Sequence, residues 1–202
     1  MRSTLTILTV ALCAFLAAPV QAADTAAATP SQADMEAMMT AYMEAATPGP
    51  EHARLAELAG TYACTTQMRM NPTDDFMSMT GTETIEPILG GRFIQMHVIG
   101  APDAMMPDGF EAMAIMGYNI TEQRYEESWV DSMGTLMLFT TGTADADGNI
   151  TLEGSYNCPY LKKPIHQRYV WSMTDTGYEI AMYGPDMSGT EFHMGTVTAV
   201  RQ

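Results

Sequence analysis

Arg124-Tyr-Glu-Glu-Ser-Trp-Val-Asp-Ser-Met-Gly-Thr135 is the stretch whose reading decides the fold. Its first eight residues alternate along an extended chain. Tyr125, Glu127, Trp129 and Asp131 share one face, and Glu126, Ser128 and Val130 share the other. The run breaks at Ser132-Met133-Gly134, and a second alternating run follows from Thr135 to Thr143. Strand, corner, strand is the pattern this predicts.

Working outward, the same period of two recurs from Thr61 to Val200. It predicts strands over Thr61 to Met70, Met77 to Ile85, Phe93 to Ile99, Phe110 to Tyr118, Arg124 to Asp131, Thr135 to Thr143, Ile150 to Tyr156, Pro164 to Met173, Tyr178 to Tyr183 and Glu191 to Val200. Short turn signals such as Asn71-Pro72, Leu89-Gly90-Gly91, Asp175-Thr176-Gly177 and Gly184-Pro185 separate them. These connections are too short for crossover helices, so the sheet is antiparallel. Closure into an up-and-down β-barrel of about ten strands removes every sheet edge and leaves a ligand-sized interior. A β-sandwich is the competing architecture.

Upstream of the strands the composition changes. Met1 to Ala22 has one basic residue, an apolar run from Leu5 to Ala18 and small residues at Val20-Gln21-Ala22, the pattern of a secretory signal peptide cleaved after Ala22. Export to the periplasm or the medium is the expectation. Ala23 to Pro30 reads as a disordered tether. Met35, Met38, Met39, Tyr42 and Met43 then recur at helical spacing behind Ser31 and Asp34, predicting a short helix to about Ala46. Pro50 opens a second short helix through Leu58, with Gly60 as its stop. The domain plan is thus signal peptide 1–22, tether and Met-rich helix 23–48, and barrel 49–202. No stretch beyond the signal is long and apolar enough to span a membrane as a helix. The net charge of −15 repels phosphate backbones, which argues against nucleic acid as a partner.

Glu51-His52 followed by Leu55, Leu58, Gly60 and Tyr62, then Gly90-Gly91-Arg92-Phe93, Gly117-Tyr118-Asn119, Trp129 to Thr135 and Met182-Tyr183 together resemble the bacterial domain-of-unknown-function family 1579. The resemblance spans about Gly49 to Arg201. It departs at Tyr62, where the family usually carries Trp. It implies a lipocalin-like or nitrobindin-like barrel and implies no reaction.

Within such a barrel, a small, largely apolar ligand would meet Tyr62, Trp129, Met182 and Tyr183, with Arg92 and Asp131 orienting its polar groups. That reading needs the Trp129 face to point inward. Otherwise Trp129 is structural and its neighbouring acids line a wet rim. The chain holds 20 methionines. A first hairpin pairing Met70 with Met77 and Met68 with Met79 would put four thioethers on one face, a soft set suited to Cu(I) in a Met-rich exported protein. Methionine is equally an adaptable filler of apolar interiors. His52, His97, His166 and His193 lack zinc-site spacing. His193, on the last strand, is the candidate haem ligand by analogy with nitrobindin-like barrels, although their N-terminal Gly-Trp signature is missing. Cys64 and Cys158 are a candidate disulfide or two free thiols.

Asp145 to Asn149 begins like a calcium loop, but Tyr156 stands where the twelfth-position Glu belongs, and a hairpin turn suffices. Nucleophile-elbow, P-loop and dinucleotide motifs are lacking. No catalytic residue is therefore assigned. An enzyme would need Asp131, Glu127 or a histidine within reach of a second catalytic group. An interaction module would dock a protein partner through the Met35 to Met43 helix.

Overall fold

In the computed structural model, residues 29–103 and 106–202 are described. The expected signal peptide and most of the expected tether lie outside them, as does Met105. The elements run α1 (Gln32–Ala45), α2 (Pro50–Ala56), β1 (Gly60–Met68), β2 (Met77–Ile88), β3 (Phe93–Gly100), β4 (Phe110–Asn119), β5 (Arg124–Asp131), β6 (Leu138–Ala144), β7 (Ile150–Asn157), β8 (Pro164–Thr174), β9 (Gly177–Pro185) and β10 (Glu191–Arg201). All ten expected strands form. The sixth starts at Leu138 because Ser132 to Met137 remain in the corner.

Each strand pairs antiparallel with its sequence neighbours, and β1 pairs with β10 to close the barrel. The sandwich alternative is thereby excluded. Inward glycines let neighbouring strands approach closely as the sheet curls. A Cβ on Gly142 would run into the Thr151 carbonyl oxygen, and one on Gly195 into that of Gln67. The β10 ladder carries a bulge between His193 and Gly195.

Before the barrel, α1 starts on a reciprocal cap. The Asp34 N–H donates to Ser31 Oγ at 3.2 Å, and the Ser31 N–H donates to Asp34 Oδ2 at 2.9 Å. Met35, Met38, Met39, Tyr42 and Met43 are all exposed, and α1 buries no residue. The boundary between the two compact units of the chain falls within this helix, after Met38. Among the described residues no helix is long and apolar enough to cross a membrane.

Helix α2 packs at the end of the barrel where β1 begins. Its His52 and Leu55 are buried, and Leu58 just beyond it joins them. His52 Nδ1 accepts the Gly49 N–H at 3.0 Å, closing the helix start. Beneath lie Tyr62, Ile85, Ile94, Met116, Tyr125, Ile150, Trp171 and Tyr178 in one apolar cluster. Trp171 stacks on Tyr178 at 5.0 Å, and Tyr62 meets Tyr178 edge-on at 5.1 Å. Arg201 donates to the carbonyls of Ala59 and Glu57, tying the last strand to the end of the helix. This end of the barrel is plugged.

Two expectations are corrected by the register. Met68, not Met70, pairs with Met77, and Met79 pairs with Thr66. Met70 lies beyond the end of β1 at 61% exposure, so the four-thioether face is not built as expected. The disulfide is not formed either: Cys64 and Cys158 are both free. Cys64 sits in β1, and Cys158 follows β7, with three strands between them around the barrel wall. Cys158 is engaged locally instead, its Sγ accepting the Leu161 N–H at 3.4 Å.

Candidate ligand-binding chamber

Strand alternation assigns every inward position. On β5 these are Tyr125, Glu127, Trp129 and Asp131; Tyr125 is buried, and Trp129 packs against the core cluster. The face left open by the sequence is therefore the inner one. The interior has two halves. Near α2 the inward side chains are buried. Toward the other end Thr66, Met68, Met77, Met79, Val98, Phe110, Trp129, Tyr156, Tyr169, Ile180, Met182 and Phe192 point inward yet keep accessible surface. Several wall positions between them are small, including Gly100, Ala112, Ala114 and Gly154. The inward side chains at the end opposite the plug thus leave this half of the interior, the chamber, less filled than the plugged half.

Three carboxyls reach into this interior: Glu83 from β2, Glu127 and Asp131 from β5. Glu83 is only 5% exposed. Its Oε2 accepts the Tyr178 hydroxyl and, at 3.8 Å, the Cys64 thiol. Glu127 Oε2 accepts the Thr140 hydroxyl at 3.0 Å. Among the described residues, Oε1 of each glutamate accepts no hydrogen bond, and no buried side-chain oxygen lacks a partner. Each Oε1 therefore keeps some accessible surface inside the barrel. Asp131, nearer the mouth, is already satisfied: Oδ2 accepts the Trp129 indole N–H at 2.8 Å and Oδ1 the Met133 N–H at 2.9 Å.

Among the described residues the inward strand positions carry one Lys, Arg or His, Arg201 at the plugged end of β10, where it lies over the Tyr62 ring and donates to the Ala59 and Glu57 carbonyls; it bonds none of the three carboxyls. Without a counter-ion, burial dominates the acids. It pushes Glu127 up to about 7, with Glu83 adding to the rise and the Thr140 hydrogen bond opposing it. Burial also raises Glu83, against the pull of its bonds from Tyr178 and Cys64. The Cys64 thiol is pushed up to about 12 by burial and then by Glu83, so it is held protonated and unreactive. Burial raises Tyr169, and Glu127, Tyr156 and Asp131 add to the rise.

The expected ligand residues separate on this frame. Trp129, Asp131 and Met182 line the chamber. Tyr62 is inward but belongs to the plug, fully buried, its hydroxyl donating to the Leu58 carbonyl at 2.7 Å. Tyr183 faces outward, its ring 3.9 Å from the Arg168 guanidinium carbon. Arg92 sits in the exposed hairpin between β2 and β3 and donates to the Leu89 carbonyl at 3.1 Å. His193 also points outward, 3.0 Å from Thr196 Oγ1 and against Tyr183 and Phe76, so it does not offer its ring to the interior. Of the four expected thioether ligands, Met68, Met77 and Met79 line the mouth.

Glu83, Thr140, Tyr156 and Tyr169 were not singled out by sequence. The signal for Glu83 was present: Met77, Met79, Gly81 and Ile85 alternate around it, placing an acid on the apolar face of a strand. As for acid–base chemistry, Glu127 and Asp131 are four residues apart on one strand, roughly 13 Å at the usual rise. They do not form a catalytic pair.

A family model described as "Protein of unknown function (DUF1579)" matches residues 47–201, well over half of the chain. No curated protein matches it.

Proposed function

The chain belongs to the DUF1579 family, and from that premise we propose that it is a binding barrel whose open half receives a small, largely apolar ligand. The observation that carries this reading is the contrast between the two halves of one interior. One end is filled by aromatic rings and sealed by α2, while inward apolar side chains at the other keep accessible surface. An open chamber walled by Met, Phe, Tyr and Trp suits an adaptable apolar contact. Titrating decanol while following tryptophan emission tests it. Saturable binding, lost when Met182 and Trp129 are changed to Ala but retained in Tyr183→Ala, is the expected result. No saturable response in the unchanged protein would refute it.

A second reading is favoured by one feature of the mouth. Across the row β9–β10–β1–β2 stand Met182, Gly195, Met68 and Met77, and the Met182 methyl extends over Gly195 toward Met68. Three thioethers along one row suit Cu(I). If they bind it, changing Met68, Met77 and Met182 to Leu abolishes competition with a Cu(I) chelator. Unchanged competition removes this reading.

Export is part of the proposal, on the strength of the leader-like Met1 to Ala22. Recovery of protein beginning at Ala23 from the periplasm or medium tests it, and cytoplasmic protein retaining Met1 contradicts it.

A further inference from the structure

We propose that the chamber selects a cationic amphiphile, a protonated or quaternary amine on an apolar body, with its head against Glu127 and Glu83 and its body along the Met and aromatic mouth. This rests on the binding reading above and names the class of ligand for the same site.

The argument starts from what the chamber lacks. The interior holds two carboxyl groups, each with one oxygen bonded and the other without a hydrogen-bond donor but with some accessible surface. Arg201, the one cation at an inward strand position among the described residues, is taken by the Ala59 and Glu57 carbonyls at the plugged end, and neither carboxyl has an ion-pair partner. The outer surface has Arg124 with Glu126 and Arg168 with Glu191, so pairing partners are placed on the outside of the wall. An enclosed carboxylate without a counter-ion is costly, and a ligand that brings the positive charge removes that cost.

A neutral ligand would leave both oxygens without a partner, and an anionic ligand would add like charge beside them. Neighbouring rings strengthen the preference. Tyr169 is within electrostatic reach of Glu127, Tyr156 acts on Tyr169 in turn, and the indole of Trp129 lies on the same inward face of β5. Aromatic faces beside a carboxylate attract ammonium groups. Farther out, Met68, Met77, Met79, Met182 and Phe192 offer no charge and suit an alkyl or aryl body.

The arrangement also sets a pH dependence. The ionisable groups coupled electrostatically to Glu127 are Glu83 from β2 and Tyr169 from β8, and Tyr169 is in turn coupled to Tyr156 from β7 and Asp131 from β5; Thr140 from β6 and Met116 from β4 do not titrate. Burial raises both tyrosines, so they stay neutral near pH 7. Cation binding therefore strengthens as pH rises through the range where Glu127 ionises.

The test compares decyltrimethylammonium, decanol and decanoate by calorimetry, in about 0.15 M salt to screen the acidic surface. The expected result is a cation bound at least tenfold more tightly than the other two. Glu127→Gln should bring the cation down to the affinity of decanol, while Glu86→Gln, on the outer face, changes the binding of neither. Gln keeps an oxygen for the Thr140 hydroxyl, and an unchanged circular-dichroism spectrum confirms that the variant folds. Equal affinity for cation and alcohol, or no effect of Glu127→Gln, overturns the charge selection and leaves the binding barrel standing. No binding of any of the three overturns both.

Discussion

Glu127→Gln should stabilise the empty protein, and by an amount that depends on pH. The carboxyl titrates at about 7 in the folded chain, against an ordinary value of 4.5. The native state therefore holds this proton more tightly than the unfolded state does. Stability falls as pH rises from the unfolded value to the folded one, and the loss is complete above about pH 7. A displacement of that size corresponds to roughly 3 kcal/mol at most. Glutamine is neutral at every pH and can keep the Thr140 hydrogen bond. The variant should match the parent near pH 4.5, gain steadily to pH 7, and hold a gain of up to about 3 kcal/mol at pH 8. Urea unfolding at pH 5, 6, 7 and 8 measures this, with equal m-values confirming that the same surface is exposed. A pH-independent difference, or a variant less stable at pH 8 than at pH 5 relative to the parent, would refute the picture of an uncompensated carboxyl inside the barrel.

Other consequences follow from the two halves of the interior. Leu55→Ala removes the buried α2 side chain over the plug and should cost about 2–5 kcal/mol, read from the same unfolding curves; a cost below about 1 kcal/mol would mean that α2 does not seal the barrel. In a chain starting at Ala23, one thiol should react with a disulfide reagent in the folded state and two after denaturation, with or without prior reductant. Cys158 is the reactive one, because the Cys64 thiol is buried beside Glu83. A reductant-dependent count would contradict the free-thiol assignment.

The β5 segment shows how far sequence carried the fold and where it stopped. Period-two alternation placed ten strands and grouped Trp129 with Glu127 and Asp131, because side-chain alternation is a local property of an extended chain. It could not say which face was inner. That depends on closure of β1 against β10, a contact spanning the whole domain. The Met70 error has a local cause: Asn71 and Asp74 form their own turn, with Asp74 Oδ2 accepting the Asn71 N–H at 3.1 Å, while the Arg69 N–H donates to the Met194 carbonyl. The chain thus leaves β1 earlier than the turn residues alone suggest. Met182 and Tyr183 cannot both line the interior, since adjacent strand residues face opposite ways. Arg92 was read as an inward charge, yet it belongs to a hairpin where Leu89, Gly90 and Gly91 all adopt positive φ. The missing counter-charge was legible only once the register was fixed, because it is a property of the entire inner face.

The most direct test of the open chamber is the methyl NMR spectrum of protein labelled at its methionines, titrated with decyltrimethylammonium. The account expects the Met68, Met77, Met79 and Met182 methyls to shift together and saturate, while Met96 and Met116 in the packed core and Met113 on the outer face stay fixed. Shifts confined to Met113 or to Met35 through Met43, with the four mouth methyls unmoved, would contradict it.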